Sequence, residues 1–285
     1  MKARIQPVLI LLIFTLSGIF RANADDRVAL SVDGRNVSAD EFMYLYNKNR
    51  MNGDTVSTAR DYARMFAVFK MKVIEAELAG IDTTRQFRAE LAGYLRDMGD
   101  ADPMLVKEYR EGMLLFEISN LMVWQKATAD TEALERHFAA NRERYGWDAP
   151  RAKGWIISAV DSATAVESQT FLAEANVDND DLRPLLKRRF GMKVKAEKYL
   201  VREGINQVVD RLVFHQENGF VAGNDWALSW SHDCRVISAP EEWNDVGAMV
   251  TADYQDLLAQ QWEESLWQSH DVVFNYDVID EITSV

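Results

Sequence analysis

Val28–Tyr46 reads VALSVDGRNVSADEFMYLY, and two local signals meet in it. Val28 to Val37 alternates apolar and polar residues about Asp33-Gly34, the pattern of a β-hairpin closed by a turn-favouring Asp-Gly pair. Ser38-Ala-Asp-Glu41 then has capping-box spacing, with a hydroxyl at the N-cap and a carboxylate three residues on. A helix therefore opens through Phe42, Tyr44, Leu45 and Tyr46. Asn47 to Asp54 is polar, contains Gly53 and reads as a loop. In the next segment, Thr58 to Ala79, Tyr62, Phe66, Phe69, Val73 and Ala76 step by four, three, four and three. That places them on one face of a helix. Gly80 suits the position after its end, and Asp82 or Thr83 can cap the next helix, which carries Phe87, Leu91, Tyr94 and Leu95 to about Met98. Gly99-Asp-Ala-Asp-Pro103 breaks the pattern. A long helix is expected over 104–127 and an amphipathic one over 131–145.

The character changes after Tyr145. Gly146-Trp-Asp-Ala-Pro150 is a turn, Ala152–Val160 (AKGWIISAV) a buried strand, 161–175 and 180–190 are helices, and 194–201 alternates as a strand. Val208–Phe214 is a short apolar segment and Trp226–Ile237 has strand-like alternation, so 147–239 forms a small α/β unit. A helix rich in Leu and Trp over 251–269 and a segment at 272–279 close the chain. There are no internal repeats and no low-complexity segments.

The N-terminus reads as an address. Lys2 and Arg4 precede fourteen apolar-rich residues, Pro7–Phe20, and Ala22-Asn-Ala24 has small-x-small cleavage spacing. The run is shorter than the ~20 residues that span a bilayer, so a secretory signal peptide cut after Ala24 is expected, with no stable membrane insertion afterwards. The whole chain of 285 residues has 45 acidic and 32 basic side chains, net −13, with 48% apolar residues. Removing Lys2, Arg4 and Arg21 leaves 29 basic residues and a net of −16. This composition is globular, and its acidity argues against nucleic acid as a partner. The single cysteine, Cys234, excludes an intramolecular disulfide framework and a Cys-only zinc site. The chain has no phosphate-binding glycine loop, dinucleotide fingerprint, HExxH or GxSxG, and its four histidines are scattered. Neither a cofactor nor a metal is expected. Cys234, in His232-Asp-Cys-Arg235, has no assignable partner base and reads as a buried or incidental thiol.

Val28–Tyr46 and Val68–Phe87 (VFKMKVIEAELAGIDTTRQF), followed by Glu111–Lys126, Phe138–Gly154 and Val246–Trp267, together resemble the SurA-like, parvulin-type (PpiC-like) peptidyl-prolyl isomerases and periplasmic chaperones, especially of a Bacteroides-like lineage. The resemblance implies an α+β fold. Residues 25–146 would be a mostly helical SurA-N-like chaperone domain, completed by a C-terminal helix and strand at 241–285. A parvulin-like α/β domain would be inserted at 147–240. By the same resemblance Arg151–Ile157 takes the place of the first parvulin strand, Gly204–Phe214 lines the proline pocket, and Trp155, Val209, Leu212 and Phe214 are its pocket residues. The family's first-strand histidine has no counterpart, since Gly154 or Trp155 stands there. Its Gly-Gly-Asp-Leu-Gly loop is absent, and only His232 could stand in for the last-strand histidine. With that polar cluster missing, the barrier of ~20 kcal/mol to rotation about an amide is expected to be lowered weakly or not at all.

Eight of the ten methionines left after cleavage fall between 43 and 122. Methionine is unbranched and polarizable, which suits an unselective apolar surface. With the aromatics among them they give Met43, Tyr46, Met65, Phe66, Phe69, Met113 and Phe116 as client-binding candidates. The expected partners are unfolded or nascent envelope and outer-membrane polypeptides in the periplasm of a Gram-negative bacterium. Two alternatives stand beside this: an active parvulin-type isomerase, and a non-catalytic assembly subunit for one dedicated envelope partner. Asp54-Thr-Val, Asp82-Thr-Thr and Asp161-Ser-Ala resemble the O-glycosylation acceptors of such lineages.

Overall fold

The computed structural model describes residues 27–51, 58–175, 181–223 and 225–284. The expected signal peptide and the Asp54 tripeptide lie outside these. The hairpin strands are β1 (Val28–Val32) and β2 (Arg35–Ser38), followed by helices α1 (Ala39–Met51), α2 (Ala59–Leu78), α3 (Arg85–Met98), α4 (Pro103–Ser119), the short α5 (Gln125–Ala129) and α6 (Thr131–Ala140). Then come β3 (Arg151–Ala159), α7 (Ser162–Glu174), α8 (Leu182–Phe190), β4 (Val194–Arg202), a single turn α9 (Gln207–Val209) and β5 (Leu228–Ile237). The chain ends with α10 (Gly247–Ser269), β6 (Val272–Phe274) and α11 (Tyr276–Thr283). Two antiparallel three-stranded sheets, ordered β2-β1-β6 and β4-β3-β5, sit among these helices, an α+β fold. No helix of the described residues is long and apolar enough to cross a membrane.

The chain divides into two compact units, one of residues up to Ser119 together with Glu263 onward, the other Asn120–Trp262. The sequence reading put its boundaries at 146/147 and 240/241. Within the second unit Leu134, Phe138 and Tyr145 share a core with Val246, just before α10, and Val250 of α10. The Tyr145 hydroxyl also donates to Asp253 at 3.0 Å.

In the first unit both chain ends meet in one sheet, with Leu30 opposite Phe274 and Val32 opposite Val272. Asp33 and Gly34 are both left-handed (φ 50° and 73°), which is what a two-residue turn matching strand twist requires. The Asp33 carboxylate accepts from the Asp271 N–H at 2.8 Å and lies 2.6 Å from His270 Nδ1, and these bonds hold it below the usual carboxylate range. The capping box is half made. Ser38 Oγ accepts from the Glu41 N–H at 3.2 Å, while the Glu41 carboxylate turns to lysines instead. Thr58 caps α2, and Thr84, rather than Asp82 or Thr83, caps α3 by accepting from Phe87 N–H. The long helix expected over 104–127 is interrupted at Asn120–Trp124 by a π-turn. The segment at 272–279 is a strand only to Phe274, after which Asn275 caps α11.

Candidate functional site

The second unit is built on β3, whose residues alternate between two apolar layers. Trp155, Ile157 and Ala159 pack with Trp230, Leu182 and Leu186 on one face. Ala152 and Ile156 pack with Val209, Leu212, Val213 and Val221 on the other. The four pocket-like residues therefore do not converge: Phe214 borders the layer of Val209 and Leu212, and Trp155 belongs to the opposite one. Val209 and Leu212 are 1% and 6% exposed, enclosed in the protein's own core. The apolar segment 208–214 is a helical turn capped by Asn206, which accepts from Val208 and Val209 N–H at 3.0 and 3.1 Å, running into a π-turn. Beside Phe214 opens a cavity of about 470 Å³ lined also by Pro150, Arg202, Ile205 and Val236.

A β-bulge decides the polar geometry. Lys153 pairs with Arg235 and Trp155 with His232, so Asp233 and Cys234 together oppose the single Gly154. Asp233 is left-handed (φ 49°) and Gly154 has φ 149°. A Cβ at 154 would stand 2.5 Å from both Cα and Sγ of Cys234 and 2.6 Å from the Asp233 carbonyl oxygen. Position 154 therefore admits no side chain without a shift of the strand opposite. Across the bulge His232 stays with Trp230, ring edge to face at 5.7 Å, whereas Cys234 turns into the Val209 layer. Burial pushes the Cys234 thiol up to about 11, against the lowering effect of its bonds to the carbonyls of His232 and Trp155, the latter at 3.2 Å. A thiol protonated at neutral pH is a poor nucleophile. Lys153 ties the strand to the turn before α10 through Asp245 at 2.6 Å and Glu242 at 2.7 Å. Burial raises the Asp245 carboxyl, but Lys153 and the N–H groups of Glu241 and Glu242 together hold it below its usual value.

In the first unit the aromatic rings of α1 and α2 interlock. Phe42, Tyr46, Tyr62 and Phe66 have centroids 5.1–6.0 Å apart. Tyr46 and Phe66, proposed from sequence as client contacts, are core residues; Met43, Phe69 and Met113 are half-buried; Met65 and Phe116 are 59% and 41% exposed. Beneath the rings lies a buried charge cluster that sequence reasoning missed. Lys70 Nζ reaches Glu111 Oε1 and Oε2 at 2.7 and 2.6 Å and also Glu41, whose other oxygen receives Lys107 at 2.6 Å. The signal for it was present: Lys70 stands four residues after Phe66 and three before Val73, a cation on the buried stripe of α2. Outside this core, α3 has Leu91, Tyr94, Leu95 and Met98 at helical spacing yet buries only Phe87. Tyr94 is 49% exposed and stacks on Tyr109 of α4 at 4.2 Å, with Met113 and Phe116 following Tyr109 at four and seven residues. Among the described residues no group of three or more His, Cys, Asp or Glu could hold a metal ion.

No protein-family profile and no curated protein matches the chain. Among solved structures it is similar to one reported for PEB4 and Cj1289, structurally related SurA-like chaperones of Campylobacter jejuni, at 10% identity and a TM-score of 0.27, covering 87% of this chain and 98% of that one. It is also similar to the foldase PrsA of Lactococcus lactis (9% identity, TM-score 0.29, 90% and 98% covered) and to PrsA of Bacillus subtilis (13%, 0.26, 92% and 99%). At these identities and scores the likeness says nothing of activity.

Proposed function

We propose that this chain is an exported, SurA-like holding chaperone of a Gram-negative envelope. It binds unfolded or nascent envelope polypeptides through the apolar surface of its first unit, and its α/β unit has little or no isomerase activity. The observation that carries the reading is α3, a helix with an apolar stripe that buries only Phe87 and whose exposed Tyr94 meets Tyr109 of α4. Of that stripe Tyr94 is exposed and Leu91, Leu95 and Met98 are half-buried; apolar area left partly open to water can be covered by apolar chain, and Tyr, Met and Phe accept many partners without fixed geometry. The weak-isomerase part rests on the burial of Val209 and Leu212 and on Gly154.

The test is suppression of aggregation of an unfolded outer-membrane protein by the processed chain. Tyr94→Ser with Phe116→Ser, at residues 49% and 41% exposed, is expected to lower it severalfold, and the thermal midpoint read alongside separates lost binding from lost stability. If the parent protein suppresses no aggregation and binds no unfolded chain, the reading fails. One observation favours the isomerase alternative, the cavity beside Phe214. Proline-limited refolding separates the two: acceleration comparable to an active parvulin would establish that alternative instead.

A further inference from the structure

The charge of this protein is unevenly placed. Residues 182–198 carry seven basic side chains and one acid, net +6, while the remaining 268 residues hold 25 basic and 44 acidic, net −19. The segment is α8, a 3-10 turn at Gly191–Lys193 and the start of β4. Leu182 and Leu186 face the core, and Arg183, Lys187, Arg188, Arg189, Lys193, Lys195 and Lys198 are all exposed. Arg183, Arg189 and Lys195 pair at the surface with Asp181, Glu167 and Glu197. Such pairs are weak and leave their cations available to a competitor. Lys187, Arg188, Lys193 and Lys198 form no ion pair with a described residue. Cations in the last turn of α8 do offset its dipole, but that accounts for 187–189 and not for the three lysines beyond the helix. At the apex of the turn Met192 is 83% exposed, while its neighbour Phe190 packs inward on Phe171.

An apolar side chain raised at a tip among cations is the chemistry of a surface that meets anionic headgroups and inserts at the acyl boundary. We propose that α8 and the turn at Met192 form a peripheral docking surface for an anionic lipid bilayer. The acidic remainder does not prevent this. Screening confines its repulsion to about a Debye length of ~10 Å, so a tip that contacts the membrane first is governed by its own charge. The proposal does not depend on the holding activity.

The test is co-sedimentation of the processed chain with vesicles of three parts phosphatidylcholine to one part phosphatidylglycerol, and with phosphatidylcholine alone. Binding is expected to the first only, and to weaken with salt. Lys187→Ser with Arg188→Ser should lower it about 30-fold at low salt, from about fivefold per cation. Met192→Ser should lower it a few fold with an unchanged salt dependence. All three positions are exposed, and far-UV circular dichroism checks that the variants fold. Absence of binding to the anionic vesicles at low salt, or equal binding by the double variant, overturns the proposal. Binding of polyglutamate without vesicle binding overturns it in favour of an acidic polypeptide partner.

Discussion

Replacing Lys70 by Met isolates what the buried cluster contributes. The lysine is almost wholly enclosed, with 9% of its side chain exposed, against 6% for Glu41 and 9% for Glu111. Its ammonium lies 5.3 and 5.5 Å from the ring centres of Phe66 and Phe69. Methionine keeps the aliphatic packing against those rings and removes only the charge. Glu41 retains Lys107, so the carboxylate left without a cation is Glu111. Removing one partner of a buried pair costs about 3–5 kcal/mol, because the survivor keeps its desolvation penalty and loses its compensation. Urea unfolding followed by circular dichroism should show that loss. Hydrogen exchange of the α2 and α4 amides should place it in the first unit, since a chain of two units need not unfold in one step. Glu111→Gln in the Lys70→Met background should recover at least half of the loss by removing the uncompensated charge. A loss under about 1 kcal/mol, the range of exposed pairs, or a further fall on adding Glu111→Gln, would refute the assignment of the cluster as a desolvated, mutually compensated network.

Three further outcomes follow from the second unit. Gly154→Ala meets both a left-handed backbone and two backbone atoms inside contact distance, so it should cost about 3 kcal/mol or more, read as a fall in thermal midpoint. Cys234 should react with a disulfide reagent at pH 8 orders of magnitude more slowly folded than in denaturant; comparable rates would contradict its buried, raised thiol. Lys153 and the N–H groups of Glu241 and Glu242 hold the folded Asp245 carboxyl below its ordinary value, so its contribution to stability is complete above the unfolded value and is lost as pH falls through the lowered folded one. Asp245→Asn should therefore lower stability at pH 7 and flatten the acid limb of the stability profile, and an unchanged acid limb would contradict the Lys153 pairing.

Much of the first unit was legible because its signals are local. The Asp33-Gly34 turn, the Ser38 cap and the α2 stripe each follow from residues within one or two turns of chain. What was not legible depends on partners far away in sequence. The π-turns at 120–124 and 210–214 have no glycine or proline to announce them. The segment AKGWIISAV is apolar on both faces, as a strand covered on both sides must be, so nothing in it says that Trp155 and Ile156 look into different layers. The half-buried stripe of α3, with Tyr94 exposed, reads from sequence like any core helix, since periodicity reports a face and not what covers it. Lys70 was readable as a polar intrusion on a buried stripe, whereas its two carboxylates come from α1 and α4 and could not be.

The bulge at Asp233-Cys234 ties Gly154 to the rest of the strand. A side chain at 154 needs an ordinary backbone and space, and both are denied by the extra residue opposite it. Removing one of the two bulged residues would restore one-to-one pairing, with Arg235 still opposite Lys153 and His232 still opposite Trp155. Lys153 opposite Arg235 anchors the same stretch to Asp245, so the ion pair that fixes the turn before α10 sits one register step from the bulge. No single substitution therefore places a polar group at 154. A polar group acting in this unit would have to stand elsewhere, and among the described residues two cavities offer one: that beside Phe214 with Arg202 on its wall, and that lined by Arg142, Glu143 and Arg235.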